Sequence, residues 1–229
     1  MLRPFGENIW LADGAIADVA GFRYPTRMAA IRLASEDLFI WSPIALSDAL
    51  RAEIDALGPV SHIVPPNSLH HLHVAEWQRA YPMAKTYAPP GLREKRKDLV
   101  FDEDLETDTE PHWIGDIDQV AVGGNRITTE IVFFHRKSRT VLFTDLIQHF
   151  PRGWFKGWRG VVAWLDLMTE PEPQVPRKFR VAFTGRRAAR IALGRILIWP
   201  TVKVVMAHGE PVTRDCQEFL MRAFRWLRV

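Results

Sequence analysis

The chain confines its hydrophobicity to short bursts, and that pattern limits its fold more than any other feature. NIWLAD (8–13), MAAIRLA (28–34), LFIWS (38–42), VSHIV (60–64) and KTYAPP (85–90) form a first run. IDQVAV (117–122), TEIVFF (129–134), TVLFTD (140–145) and TVKVVMAH (201–208) form a second. Each is strand-length, rich in β-branched and aromatic residues, and closed by Pro, Gly or a polar cluster. None approaches the ~18–20 apolar residues of a membrane span. Helical spacing separates them, over 47–57 with Ser47 as N-cap and Gly58 as stop, and over 71–81, 92–97, 157–168, 186–199 and 212–228. GAIADVAGFRYPT is a loop or hairpin connection, HRKSR (135–139) a tight hairpin, TEPEPQVPRK a connector, and the acidic stretch 98–112 a surface loop. Two runs of strands, each with helices available for one face, predict two mixed sheets packed face to face with helices outside. That is an α/β chain built as a four-layer αββα sandwich. The 229 residues suffice for one core, so a single domain over 1–229 is expected.

The single cysteine, Cys216, rules out an intrachain disulfide and a CxxC zinc ribbon. Any metal has to be held by His, Asp, Glu or Asn. The first residues lack a charged region followed by an apolar run, so a cytoplasmic location is expected. Charge is unevenly placed, with a net −6 over residues 1–150 and +9 over 151–229. The basic tract holds Arg177, Lys178, Arg180, Arg186, Arg187, Arg190 and Arg195, but no RNA-binding aromatic motif or zinc finger accompanies it. No nucleic-acid partner is expected. Arg187 and Arg190 should pair with acidic residues of the first half or lie in solvent. WFKGW (154–158) fits a lid, a partner surface or a core contact. There is no phosphate-binding GxxxxGK[ST], no GxGxxG after a strand and no GxSxG elbow.

In α/β folds reactive groups gather where strands end. Here that rule selects Asn67, His70, His71 and His73 after VSHIV, Asp145 ending TVLFTD with His149 four residues on, and His208 ending TVKVVMAH. Imidazole and carboxylate suit zinc, iron or manganese. Each residue also has a plain structural role open to it. His70-His71 could cap a helix, Asp145 could cap or pair, and His208 could end a strand. Asn67 could cap the helix after Pro66, donate to an oxyanion, or orient a ligand, and capping is the favoured reading. His62 and His112 read as structural or exposed.

The segments WLADG, YPTRM, WSPIAL, ALGPV, PNSLHH, YAPPGL, VFFHRKSRTVLFTDLIQ, AHGEPV and AFRWL resemble the bacterial family called domain of unknown function 4336, over about 8–228. More broadly the chain resembles the metallo-β-lactamase-fold superfamily. The superfamily's His-x-His-x-Asp-His, laid with its last two positions on His70-His71, puts Pro66 and Ser68 where imidazoles belong. Its third-motif His falls near Asn125, and its early Asp is Ser42. Its bridging Asp matches Asp145 and its final His matches His208. The resemblance implies one lost metal site and one retained site, held by His71, Asp145 and His208, with His70 as a fourth or supporting ligand. It implies a metal-dependent hydrolase with at most one divalent ion (zinc, iron or manganese), acting on a small molecule, with Asp145 and Asn67 in the catalytic site. The alternative it leaves open is a non-catalytic member, without an ion, that binds a small molecule or a protein.

Overall fold

The computed structural model describes residues 1–106 and 111–228. Seven strands form the first sheet, β1 (Arg3–Gly6), β2 (Ile9–Asp13), β5 (Arg27–Arg32), β6 (Leu38–Trp41), β7 (Val60–Val64), β8 (Lys85–Ala88) and β9 (Glu103–Asp104), in that spatial order. A small hairpin, β3 (Ala17–Val19) and β4 (Phe22–Tyr24), interrupts the sequence between β2 and β5. The second sheet is β10 (Ile117–Val122), β11 (Glu130–His135), β12 (Thr140–Phe143) and β13 (Lys203–Met206). Its first three strands are antiparallel, and β13 joins β12 in parallel. The helices are α1 (Asp48–Asp55), α2 (Val74–Ala80), α3 (Leu92–Lys95), α4 (Trp158–Leu165), α5 (Arg177–Ala182), α6 (Arg186–Leu197) and α7 (Cys216–Phe224). Among the described residues no helix is long and apolar enough to cross a membrane.

Strand alternation builds the layers. Phe39 and Trp41 of β6 face the second sheet, and they meet Phe133, Leu142 and Val205 in the inter-sheet core. Their neighbours Leu38 and Ile40 face the other way, onto Leu50 and Ile54 of α1 and Val74 and Trp77 of α2. On the second sheet, Val132, Phe134, Val141 and Phe143 take the outer face and pack on α5, α6 and α7. Strands buried on both faces read as continuous apolar runs, which is what LFIW (38–41) and IVFF (131–134) are. The four-layer αββα expectation is therefore met.

Three local expectations are corrected. The helix expected at 71–81 starts only at Val74, because the chain from Asn67 to His71 winds through turns. The connector TEPEPQVPRK runs into α5, whose N-cap is Pro176. The stretch 98–112 is not wholly surface, since Phe101 and Leu105 are buried against the cores. Its residues 107–110 lie outside the described ones.

Candidate metal centre

Three strand ends meet at one pocket. β7 delivers the turn Asn67–His71, β12 delivers Thr144 and Asp145, and β13 delivers His208. Glu130 of β11 holds the middle strand end. Its buried carboxylate accepts backbone N–H bonds from Thr144 (2.8 Å), Asp145 (2.8 Å) and Leu146 (3.0 Å). Burial and then the nearby Asp145 charge push the Glu130 carboxyl up to about 7, against the pull of those donors. Arg27 holds the third strand end. Its guanidinium donates to the carbonyls of Met206 (2.9 Å) and Gly209 and to Asp13 (2.7 Å).

Asn67 ties the first strand end to the second. It is fully buried. Its Nδ2 donates to Thr144 Oγ1 at 2.9 Å and to Asp145 Oδ2 at 2.8 Å. Its Oδ1 accepts from the backbone of Leu69 (2.8 Å) and His70 (3.1 Å). The residue caps a turn rather than the helix, whose N-cap is His73, and it donates to Asp145 as a residue that orients a ligand would. The oxyanion-donor reading is corrected, since both amide hydrogens are already engaged.

The Asx turn at Asn67 sends His70 inward. His70 Nε2 lies 3.3 Å from Asp145 Oδ2, and His208 Nε2 lies 3.5 Å from Asp145 Oδ1. One donor atom from each of the three residues falls within 4.8 Å of the others. The far nitrogens are also fixed. His208 Nδ1 sits 2.7 Å from the Pro25 carbonyl, which can only accept, so that nitrogen carries the proton. A neutral His208 therefore turns a bare Nε2 lone pair toward a carboxylate oxygen. His70 Nδ1 is 2.9 Å from Ser42 Oγ, which can donate or accept. His70 can thus present either a proton or a lone pair at Nε2. Burial pushes the His70 imidazole below its ordinary value, against the attraction of Asp145. Burial alone would raise Asp145, but His70 and His208 hold its carboxyl well below the usual carboxylate range. Asn67 and Gln148 Nε2 (3.3 Å) also donate to it.

These residues fit an ion. A tetrahedral zinc with bonds of ~2.0–2.1 Å spaces its ligands by ~3.3 Å, close to the two separations above. With both rings protonated at Nδ1, two Nε2 lone pairs and an ionised carboxylate form an electron-rich set, and each Nδ1 has an oxygen partner that can hold its proton on the outer side. His71 does not join this set. It lines the same pocket, but its Nδ1 accepts from Arg96 at 2.9 Å. Burial, then Lys95 and Arg96, pushes its imidazole down to about 4. The positions of the other superfamily ligands are engaged elsewhere. Ser68 Oγ bonds Thr128 at 3.1 Å, and Asn125 Nδ2 donates to the Phe179 carbonyl at 2.9 Å.

The pocket has a volume of about 440 Å³. Its walls include Ile44, Leu69, Leu72 and Phe179, with Lys95 and Lys178 as the cations. Gln148 also lines it, and its Oε1 is buried without a partner among the described residues. The other sequence expectations lie elsewhere. His62 is buried on the Tyr87 hydroxyl at 3.0 Å, and His112 reaches Glu103 at 3.1 Å. Arg187 and Arg190 are both exposed, and Arg190 also donates to the Leu227 carbonyl at 2.9 Å.

Solved structures share this architecture. A metallo-beta-lactamase from Pontibacter korlensis aligns at 12% identity, with a TM-score of 0.66, over 100% of this chain and 98% of its own. FIM-1 from Pseudomonas aeruginosa, in a mono-zinc form, aligns at 12% identity and TM-score 0.65, over 98% of this chain and 94% of its own. The metal-soaked Flv1 flavodiiron core from Synechocystis sp. PCC6803 aligns at 12% and 0.66, over 100% of this chain and 60% of its own. The fold is thus that of the metallo-beta-lactamases. No curated protein matches in sequence. The profile of one family, described as a domain of unknown function (DUF4336), matches residues 6–156.

Proposed function

The chain belongs to the DUF4336 family, and on that footing we propose that it is a metal-dependent hydrolase-like protein with one metal position, built as a single domain over 1–229. His70, Asp145 and His208 hold the ion, and His71 serves the pocket wall instead. One observation carries this reading. Two imidazole Nε2 atoms stand 3.3 and 3.5 Å from the two oxygens of one buried carboxylate, and the three ligand atoms lie within 4.8 Å of one another, as one shared cation requires. A divalent ion so placed supplies Lewis acidity and lowers the pKa of a bound water to ~7. The chain's own residues do the rest. Glu130 and Asn67 fix Asp145, while Ser42 and the Pro25 carbonyl aim the imidazoles. The apolar walls exclude water, and Gln148 Oε1 offers an acceptor to a bound molecule. An ester, amide-like or phosphoester bond is the reacting group.

Metal analysis of the full chain, purified without chelator or histidine tag, tests this. We expect one zinc, iron or manganese per chain, and none in Asp145→Ala with its circular dichroism unchanged. Two tightly held ions would mean that further ligands exist. No uptake of any of the three metals at neutral pH would leave the family fold without this chemistry.

A further inference from the structure

α4 carries its apolar stripe on the wrong side. Trp158, Val161, Val162 and Leu165 recur at i, i+3, i+4 and i+7, the spacing that normally faces a core. Here they are 61%, 57%, 40% and 48% exposed, and Trp164 beside them is 60% exposed. Ala163 is the buried residue of this helix. The helix rests on the β3–β4 hairpin through a small aromatic cluster. Phe155 packs on Phe22, Trp158 meets Phe22 edge-on, and Trp154 Nε1 donates to the Arg23 carbonyl at 2.8 Å. On the hairpin, Val19 is 58% exposed and also lines the mouth of the pocket. An apolar surface of this extent on a water-facing helix marks a docking site.

Charge identifies the occupant. Across residues 14–25 and 151–165 the basic side chains are Arg23, Arg152, Lys156 and Arg159, against Asp18 alone. Tryptophan with cations and almost no acid suits the boundary between headgroups and acyl chains, where indole is wet at one edge and apolar at the other. A second copy of the chain suits it poorly. A twofold contact would set Arg152, Lys156 and Arg159 against the same cations of the partner copy, with no carboxylate between them. We propose that α4 and the β3–β4 hairpin dock the protein on an anionic lipid surface, lying in the interface without spanning it, with the pocket mouth beside the membrane. This holds whether or not the pocket takes an ion.

Co-sedimentation of the full chain tests it, with phosphatidylcholine vesicles that contain or lack phosphatidylserine. We expect binding to the anionic vesicles, weakened by salt and about tenfold weaker on neutral ones. Trp158→Ser/Val161→Ser/Leu165→Ser should reduce binding to the anionic vesicles by at least about tenfold, with an unchanged melting temperature. Arg152→Glu/Lys156→Glu, which leaves the apolar stripe intact, should abolish the preference for phosphatidylserine. Failure of the wild type to sediment with anionic vesicles at low salt overturns the proposal. So does light scattering that finds a dimer which the serine variant dissociates, because the stripe then belongs to a second copy.

Discussion

Asn67 has no hydrogen-bonding capacity left over. Its nitrogen engages Thr144 and Asp145, and its oxygen engages the backbone of Leu69 and His70. One side chain therefore places both a carboxylate and an imidazole. Asn67→Ala leaves two N–H groups without that acceptor and removes a donor from Asp145. Unsatisfied buried groups cost about 1–3 kcal/mol each, and the turn relaxes in part. We expect a loss of about 2–4 kcal/mol in urea denaturation, together with weaker metal uptake. A variant matching the wild type in both measurements would show that the turn holds itself. In the sequence, the choice between His70 and His71 was not legible. They are neighbours, and the choice is made by the Asx turn and by Arg96, 25 positions away. Glu130 was legible only as an oddity, one acid inside TEIVFF. A carboxylate in a strand buried on both faces requires donors, but those donors lie 14 to 16 positions further on.

The elements that could be read from sequence are those with local signals. Val60–Val64 and Ile117–Val122 match the expected strands residue for residue. Ser47 caps α1 as expected, accepting from Leu50 N at 3.2 Å. β1 and α5 were not legible, because RPFG is a short polar edge and RKFRVA is a turn and a half that buries Phe179. The GG at 123–124 signals a turn, and the structure gives that turn a second task. Gly124 has φ +79°, and its carbonyl accepts from the backbone of Thr184 (2.9 Å) and Gly185 (3.0 Å), so the start of α6 is docked on the β10–β11 turn. A Cβ on Gly124 would lie 2.8 Å from the Gly185 carbonyl oxygen. Gly124→Ala has to strain φ and push two backbones apart. It should cost about 1–3 kcal/mol, seen as a lower melting temperature and faster proteolysis near Gly185. An unchanged melting temperature would mean that the two backbones separate freely.

The pH response belongs to the whole molecule, because the groups behind it are spread over both sheets. His62 in β7 and His135 ending β11 are both buried, and burial pushes each imidazole down to about 4. In the unfolded chain a histidine titrates near 6.5. Between those values the unfolded chain takes up the proton and the folded chain resists it. The stability that each neutral imidazole contributes is whole above pH 6.5 and is lost as pH falls toward about 4. One pKa unit corresponds to about 1.4 kcal/mol, so each histidine steepens the acid limb by up to that amount per pH unit. Glu130 acts in the opposite sense. Its carboxyl, pushed up to about 7, binds a proton more readily folded than unfolded, and it adds stability as pH falls below that point. The raw curve mixes these contributions, but a difference separates them. In His135→Gln the amide can still reach Ser138, the present partner of Nδ1 at 2.7 Å, and Glu130 is untouched. The stability of the wild type minus that of the variant, from urea curves at several pH values, should be flat above about 6.5 and fall by about 1 kcal/mol per pH unit below it. A gap that stays constant down to about pH 4 would mean that Asp116 and Glu7, the carboxylates that favour a charged His135, outweigh its burial.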